Sequence, residues 1–87
     1  MQRLTVTFFG KVQGVGFRAH TQKIAETLLV KGYVQNSLDG SVKAEIEGSL
    51  PDLFSLIQAL ASRFSLSNIT INFESTKNNF QNFSILS

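Results

Sequence analysis

The apolar residues of this 87-residue chain change their spacing repeatedly, from every second residue to every third or fourth and back. Leu4, Val6 and Phe8 alternate with polar residues, which predicts a half-buried strand that ends near Gly10. A helical repeat then predicts a first helix over residues 18–29. Its apolar stripe consists of Phe17, Thr21, Ile24, Ala25 and Leu28. The chain therefore combines strands with helices, and the order of these elements limits how its layers can pack.

The middle of the chain has the pattern of a hairpin. We expect strands over residues 32–36 and 41–47. Between them, Asp39-Gly40 supplies the positive backbone angles that a tight hairpin turn needs. The two strands should therefore lie side by side and antiparallel.

The last third of the chain predicts one more helix and two more strands. Ser49 can cap a helix, and Pro51 suits its first turn. The apolar stripe of this helix consists of Leu53, Leu56, Ile57, Leu60 and Phe64. Residues 69–73 alternate again and predict a fourth strand, and residues 83–85 predict a short fifth one.

This order of elements defines a fold class. A βαββαβ chain with a short fifth strand is expected to fold as an α+β, ferredoxin-like two-layer sandwich. Both helices should cover one face of a mostly antiparallel sheet. Residues 1–87 should form a single domain, because a chain of this length has no room for a second core.

The composition excludes several kinds of site. The chain contains no cysteine, so disulfides, thiolate metal ligands and a cysteine nucleophile are excluded. His20 is the single histidine, which excludes a histidine metal cluster, and the six acidic residues are scattered. We therefore expect no metal and no other cofactor.

Charge and hydropathy give weaker indications about partners. The net charge of +2 is spread along the chain, which favours a solvated surface over a nucleic-acid interface. No apolar stretch reaches the length of a membrane span, and residues 1–9 alternate instead of forming a signal-peptide core. We expect a soluble, cytoplasmic protein that binds neither nucleic acid nor membrane.

The loop between the first strand and the first helix carries a pattern suited to anions. Gly14 and Gly16 allow successive backbone N–H groups to converge, and they place no side chain before an approaching anion. The helix that follows adds the positive end of its dipole. Arg18 offers a planar fork that matches two phosphate oxygens. An ordinary turn followed by a surface arginine would have the same sequence, so the loop alone leaves both interpretations open.

Asn36 is a second candidate residue, at the end of the strand after the first helix. Its amide can both donate a hydrogen bond to a water molecule and accept one from it. Asparagine is also common beside turns, where it caps a hairpin. By itself, the position of Asn36 favours the capping role.

Together, these two segments resemble the acylphosphatase family. Residues 10–18 read GKVQGVGFR, which is similar to the loop signature of that family. Residues 32–36 read GYVQN and are followed by DGSV at 39–42, which resembles its second signature at the same spacing. The resemblance covers nearly the whole chain, and the paired motifs are highly specific.

The resemblance implies a fold, an activity and a set of site residues. Acylphosphatases adopt the ferredoxin-like fold and hydrolyse the carboxyl–phosphate bond of acyl phosphates without a metal. By this resemblance, Arg18 binds the phosphate oxygens, and Asn36 orients a water for direct in-line attack at phosphorus. Inorganic phosphate would then be both a product and a competitive inhibitor. The backbone N–H groups implied to cradle the phosphate are those of Gln13, Gly14, Val15, Gly16, Phe17 and Arg18.

Two positions depart from the family pattern, and the single histidine lies outside it. Tyr33 stands where tryptophan is common in the family, and a packed aromatic position should tolerate this change. Leu29 stands where a glycine usually ends the first helix, so we expect an altered helix end. His20 lies outside the catalytic pair and is expected to be a surface or helix-face residue.

Two rival functions remain. Residues 31–34 read KGYV and resemble the opening of an RNA-recognition signature, in which sheet aromatics stack on bases. That match ends at residues 35–36, and the other aromatic positions of the signature are missing. A catalytically idle relative that only binds an anion is the second rival. The presence of both Arg18 and Asn36 argues against it.

Overall fold

A computed structural model describes residues 1–86 of the chain. The segments with strand and helix patterns become regular elements close to their predicted bounds. In chain order they are β1 (Gln2–Gly10), α1 (Phe17–Thr27), β2 (Lys31–Asn36), β3 (Val42–Gly48), α2 (Leu50–Arg63), β4 (Leu66–Glu74) and β5 (Phe83–Leu86).

The five strands form one sheet in the order β4-β1-β3-β2-β5. β1 pairs antiparallel with β3 and with β4, and β2 pairs antiparallel with β3. β5 is the exception, because it runs parallel to β2 at the edge of the sheet. Two helices on this mixed sheet confirm the predicted ferredoxin-like α+β class.

The core lies between the sheet and the helices. Alternate residues of β1, namely Leu4, Val6 and Phe8, are buried against the apolar stripes of α1 and α2. At the start of α1, the Phe17 ring packs between those of Phe8 and Phe64, with centroid distances of 5.0 and 4.8 Å. Burying one such ring contributes about 1.5–3 kcal/mol. Phe17 therefore fixes the first turn of α1 on the sheet.

α1 ends two residues earlier than predicted. Its last helical residue is Thr27, and Leu29 adopts a left-handed conformation with φ 59°. The backbone N–H of Val30 donates to the carbonyl of Ala25 at 2.9 Å, which is the closing bond of a Schellman motif. Glycine usually occupies the left-handed position, so a leucine there costs about 1–2 kcal/mol.

The hairpin between β2 and β3 is longer than a tight two-residue turn. Residues 37–41 separate the strands, and the Ser37 N–H donates to the Ser41 carbonyl at 2.9 Å. Of the Asp39-Gly40 pair, Gly40 has a positive φ of 92° and Asp39 does not, so the two-residue turn expected from this pair does not form. The Asp39 carboxylate accepts bonds from the backbone and the hydroxyl of Ser41, at 3.0 and 2.6 Å. These side-chain bonds stabilise a wider turn than the dipeptide alone predicts.

Five side chains pack together on the sheet face that points away from the helices. We call them the open-face cluster: Arg3, Tyr33, Glu45, Glu47 and Phe80. Arg3 donates to Glu45 at 2.6 Å and to Glu47 at 3.4 Å, and its guanidinium lies 4.4 Å from the Phe80 ring centroid. The Tyr33 hydroxyl donates to the other oxygen of Glu45. Because Phe80 belongs to the segment before β5, the cluster holds that segment on the sheet.

The hydrogen bonds of the open-face cluster shift the pKa values of its members. Burial raises the pKa of Glu45, but the bonds from Arg3 and Tyr33 outweigh burial and lower it overall. Burial and the bond to Glu45 raise the pKa of Tyr33 to about 12. Glu47 and Arg3 are only 2% and 6% exposed, so their charges need compensation. Arg3 receives it from Glu45 and Glu47, and Glu47 also accepts from the backbone N–H of Lys77 at 3.2 Å.

Candidate active site

The segment between β1 and α1, residues 11–16, forms a loop that is fixed at its base. The side chain of Val12 is buried in the core, and the Lys11 N–H donates to the carbonyl of Ser65 at 3.0 Å. The rest of the loop, from Gln13 to Gly16, lies at the surface. The base of the loop is therefore rigid, whereas its tip is exposed.

Two glycines give the tip of this loop its shape. Gly14 and Gly16 have φ angles of 77° and 80°, in the left-handed region where side chains are strained. A Cβ atom built on either residue would meet no atom of the described chain within 4 Å. The backbone conformation thus requires glycine, and the space in front of the loop is open to an anion.

The start of α1 adds donors to the loop. Gly16 is the N-cap residue and has no side chain that could bond the first N–H groups of the helix. The first turn, Phe17–His20, contains no acidic residue that would neutralise the positive end of the helix dipole. The N-terminus of α1 is therefore suited to an anionic ligand.

Arg18 projects from this first turn beside a cleft. It is half-buried, and its Nη1 donates to the backbone carbonyl of Leu86 in β5 at 3.3 Å. The cleft has a volume of about 210 Å³, large enough for a phosphate group. Its lining residues are Val12, Gly14, Gly16, Phe17, Arg18, Ala19 and Ile85. A guanidinium and a helix N-terminus thus converge on one small, partly apolar cleft.

Asn36 ends β2, where it pairs with Val42 of β3. Its Oδ1 atom is buried and has no hydrogen-bond partner within residues 1–86. Buried polar atoms are nearly always bonded, so an unpartnered acceptor calls for a ligand or a water. This property distinguishes Asn36 from a residue that merely caps the hairpin.

The side chain of Gln13 connects the loop to the end of β2. Its Nε2 donates to the carbonyls of Ser37 and Ser41, each at 2.9 Å. On the other side, Leu86, whose carbonyl accepts from Arg18, pairs with Gln35 in the parallel β2–β5 ladder. The residues next to Asn36 are therefore joined to the loop through Gln13 and to Arg18 through Leu86.

The predicted site residues fall into two groups. Gly14, Gly16, Phe17 and Arg18 line the cleft, and Gln13 and Val15 belong to the exposed tip of the same loop. Asn36 is adjacent through the contacts of Gln13 and Leu86, but it is not one of the lining residues found in the described chain. The structure thus brings the loop and arginine together at the cleft, with Asn36 at its flank.

Sequence reasoning did not assign Ile85 and Leu86 to the site. Ile85 lines the cleft, and the Leu86 carbonyl holds Arg18. The alternation of residues 83–85 predicted a strand but not its place in the sheet. Only the parallel pairing of β5 with β2 places its end beside the loop.

Two other titratable residues, His20 and Asp39, make their contacts outside the cleft. The His20 ring lies edge-on to Phe64 with centroids 5.7 Å apart, and it is half-buried, as expected for a helix-face residue. Burial, followed by the charges of Arg63 and Lys23, lowers its pKa. The bonds from Ser41 lower the pKa of Asp39. Neither residue lines the cleft.

Other kinds of site find little support in the described chain. Residues 1–86 contain no group of three or more His, Cys, Asp or Glu side chains that could hold a metal ion. None of the described helices has both the length and the apolar character of a membrane span. Tyr33, the residue on which the RNA-binding alternative depends, packs edge-on against Phe80 and donates to Glu45. Its ring is therefore half-buried in the open-face cluster instead of being presented for stacking.

Fold and loop together define a small α+β protein whose first strand and first helix are joined by a glycine loop with the geometry suited to an anion. The acylphosphatase family model matches residues 4–85, nearly the whole chain. A solved acylphosphatase from Bacillus subtilis superposes with a TM-score of 0.93 at 30% identity, covering 100% of both chains. The chain belongs to the acylphosphatase family.

Two sequence relatives show how far the similarity extends. An acylphosphatase from Paenarthrobacter aurescens is 52% identical over 60 residues, which are 69% of this chain and 64% of that protein. The matching segment thus spans less than two thirds of that relative. An acylphosphatase from Thermotoga petrophila is 36% identical over 88 residues, which cover 98% of this chain and 97% of that protein.

Proposed function

We propose that the chain is an acylphosphatase, a hydrolase acting on acid anhydrides that splits the carboxyl–phosphate bond of acyl phosphates. The products are a carboxylate and inorganic phosphate. The observation that carries this proposal is the convergence of the Gly14–Gly16 loop, the uncapped start of α1 and Arg18 on one cleft. Family membership supports it independently.

In the proposed reaction, the phosphate group binds to the backbone N–H groups of residues 13–18. Arg18 binds its oxygens through charge-assisted bonds, each worth roughly 1.5–3 kcal/mol. These bonds stabilise the charge that spreads over the phosphate oxygens in the transition state. The loop and Arg18 thus supply electrostatic stabilisation.

Asn36 positions the nucleophile, which is a water molecule. We infer that its unpartnered Oδ1 accepts a hydrogen bond from the attacking water. The water oxygen forms a bond to phosphorus as the bond from phosphorus to the carboxyl oxygen breaks, and the electron pair leaves with the carboxylate. One proton of the water stays on the phosphate, and the other is released to solvent. Because a carboxylate is a good leaving group, the reaction needs orientation and charge stabilisation more than acid catalysis.

We extend the proposal to the setting in which the enzyme works. Residues 1–87 act as a single domain and as a monomer, in the cytoplasm, on a small acyl phosphate. Inorganic phosphate competes with the substrate, because it occupies the same loop. A cleft that binds mainly the phosphate group makes few contacts with the acyl group, so the enzyme should accept several acyl phosphates.

The proposal is tested with benzoyl phosphate, a chromophoric acyl phosphate. The purified chain should hydrolyse it in the presence of excess chelator, and added inorganic phosphate should inhibit the reaction competitively. A folded protein that binds phosphate without turnover would overturn the proposal in favour of an idle anion-binding domain. Turnover that the chelator abolishes would overturn the metal-free mechanism.

A further inference from the structure

The side chain of Gln13 reaches out of the phosphate-binding loop to the turn between β2 and β3. Its Nε2 lies 2.9 Å from the carbonyl oxygen of Ser37 and 2.9 Å from that of Ser41. A glutamine amide has two N–H hydrogens, and here each one is used. The loop is therefore tied to the turn at two points by a single side chain.

The two accepting residues are the first and last residues of the turn, directly next to the Asn36–Val42 pair. Ser37 follows Asn36 in the chain, and Ser41 precedes Val42, the antiparallel partner of Asn36. Movement of Asn36 relative to the loop would stretch one or both bonds of Gln13. Gln13 thus fixes the end of the hairpin from which the Asn36 amide projects.

Fold stability alone gives little reason for this arrangement. Gln13 is exposed, so water can replace either hydrogen bond when the side chain is removed. Water cannot reproduce a fixed distance between two separate loops. The backbone of Gln13 belongs to the phosphate-binding loop, whereas its side chain holds the residues around Asn36, so one residue joins the two halves of the site.

From this geometry we propose that Gln13 is a positioning residue, which acts through Asn36 to align the attacking water with the bound phosphate. The inference rests on the proposed function. It assigns to the Gln13 side chain a role separate from that of its backbone N–H. A small displacement of a nucleophile can lower the rate by as much as about a hundredfold, because in-line attack needs close alignment.

The first test compares Gln13→Met with Gln22→Met. Gln22 is the matched control, because its Nε2 also donates to a backbone carbonyl, that of Phe83 at 3.0 Å. We expect Gln13→Met to lower kcat about tenfold or more, whereas the inhibition constant of phosphate changes less than about threefold. Gln22→Met should leave both values within about twofold of wild type. Equal weakening of kcat and phosphate binding in Gln13→Met would instead mean that its side chain only shapes the loop.

A double-mutant cycle tests whether Gln13 acts through Asn36. In an Asn36→Ala background no positioned water remains to be misaligned, so adding Gln13→Met should change kcat less than about twofold. A full additional loss in the double variant would overturn the inference. Gln13→Asn serves as a second variant if Gln13→Met does not fold, because its shorter side chain cannot reach both carbonyls.

An NMR titration with inorganic phosphate separates this inference from the proposed function. The side-chain amide of Asn36 should give one pair of N–H signals that shifts with phosphate in the wild type. In Gln13→Met it should broaden or split, whereas the loop backbone amides still shift. If the wild type does not hydrolyse benzoyl phosphate, the proposed function fails and this titration alone decides whether Gln13 holds Asn36. If the wild type is active and Gln13→Met matches it in kcat and spectrum, only the Gln13 inference is overturned.

Discussion

Arg18 donates a hydrogen bond from Nη1 of its guanidinium to the backbone carbonyl of Leu86, at the end of β5, with a distance of 3.3 Å between the two atoms. The bond is directional but involves only Nη1. Within residues 1–86, the remaining N–H groups of Arg18 make no hydrogen bond, so they are available to phosphate oxygens. A neutral carbonyl orients the side chain without neutralising its charge, which a carboxylate would do.

Replacing Arg18 with alanine should remove the main charge that holds the phosphate. Loss of two charge-assisted bonds, each worth roughly 1.5–3 kcal/mol, predicts a fall in kcat/KM of about 10²–10⁴-fold. Steady-state hydrolysis of benzoyl phosphate measures this directly, and urea unfolding should show an intact fold. Arg63→Ala is the control, because Arg63 ends α2 and is exposed. Near-normal activity of Arg18→Ala would show that the loop backbone alone holds the phosphate.

Asn36→Ala should affect the rate more than binding. In the proposed reaction the amide contacts the water and not the phosphate, so kcat should fall about a hundredfold while the phosphate inhibition constant stays within about twofold. The two values come from one inhibition series with benzoyl phosphate as substrate. If both values worsen equally, Asn36 shapes the loop and does not position the water.

The end of α1 offers a stabilising substitution. Leu29 is 82% exposed and has a φ of 59°, so Leu29→Gly removes backbone strain and sacrifices little burial. We expect a gain of about 1 kcal/mol in the free energy of unfolding, or roughly 4–8 °C in Tm. Leu38→Gly is the matched control, since Leu38 is fully exposed without a positive φ. A thermal scan in which both variants lose stability would argue against strain at Leu29.

The open-face cluster should make folding sensitive to acid. The folded-state pKa of Glu45 is lowered, so its contribution is complete above its ordinary value of 4.5 and is lost as pH falls through the folded value. Glu45→Gln should therefore lower stability at pH 7 and flatten the loss of stability below about pH 4.5. Urea unfolding between pH 7 and pH 2 measures both effects. Glu26→Gln is the control, because it removes the same charge at an exposed position of α1. It should leave the dependence of stability on acid pH unaltered.

The sequence predicts the elements of this fold better than their junctions. Alternation at residues 4–8 and the helical stripes depend on local spacing, and they place β1, α1 and α2 within a few residues of their observed bounds. The end of α1 was misplaced because the apolar spacing continues through Leu28, whereas the Schellman closure stops the helix at Thr27. The wider hairpin depends on side-chain bonds of Asp39, which a dipeptide rule does not contain.

For the site, the sequence predicts residues but not the contacts between them. The glycines and Arg18 could be recognised because their chemistry lies within one loop. The contributions of Ile85, the Leu86 carbonyl and the Gln13 side chain depend on pairings between distant segments. The burial of Glu47 was also missed, since alternation gives the face of a strand but not what covers that face. Long-range register therefore carries the information that local patterns lack.

The interior place of β1 in the sheet, between β3 and β4, has a consequence for how the molecule folds. Leu4 pairs with Ile46 on one side and with Phe73 on the other, so the first strand finds its partners only in distant parts of the chain. The chain loses conformational entropy in closing such long loops before the strand contacts can compensate for it, and this slows folding. We expect refolding in milliseconds to seconds. During synthesis, β1 can pair with β3 once the middle of the chain has emerged, but its second pairing requires β4, Leu66–Glu74. We therefore expect the loop that follows β1 to reach its final geometry late in folding, after β4 has paired with β1.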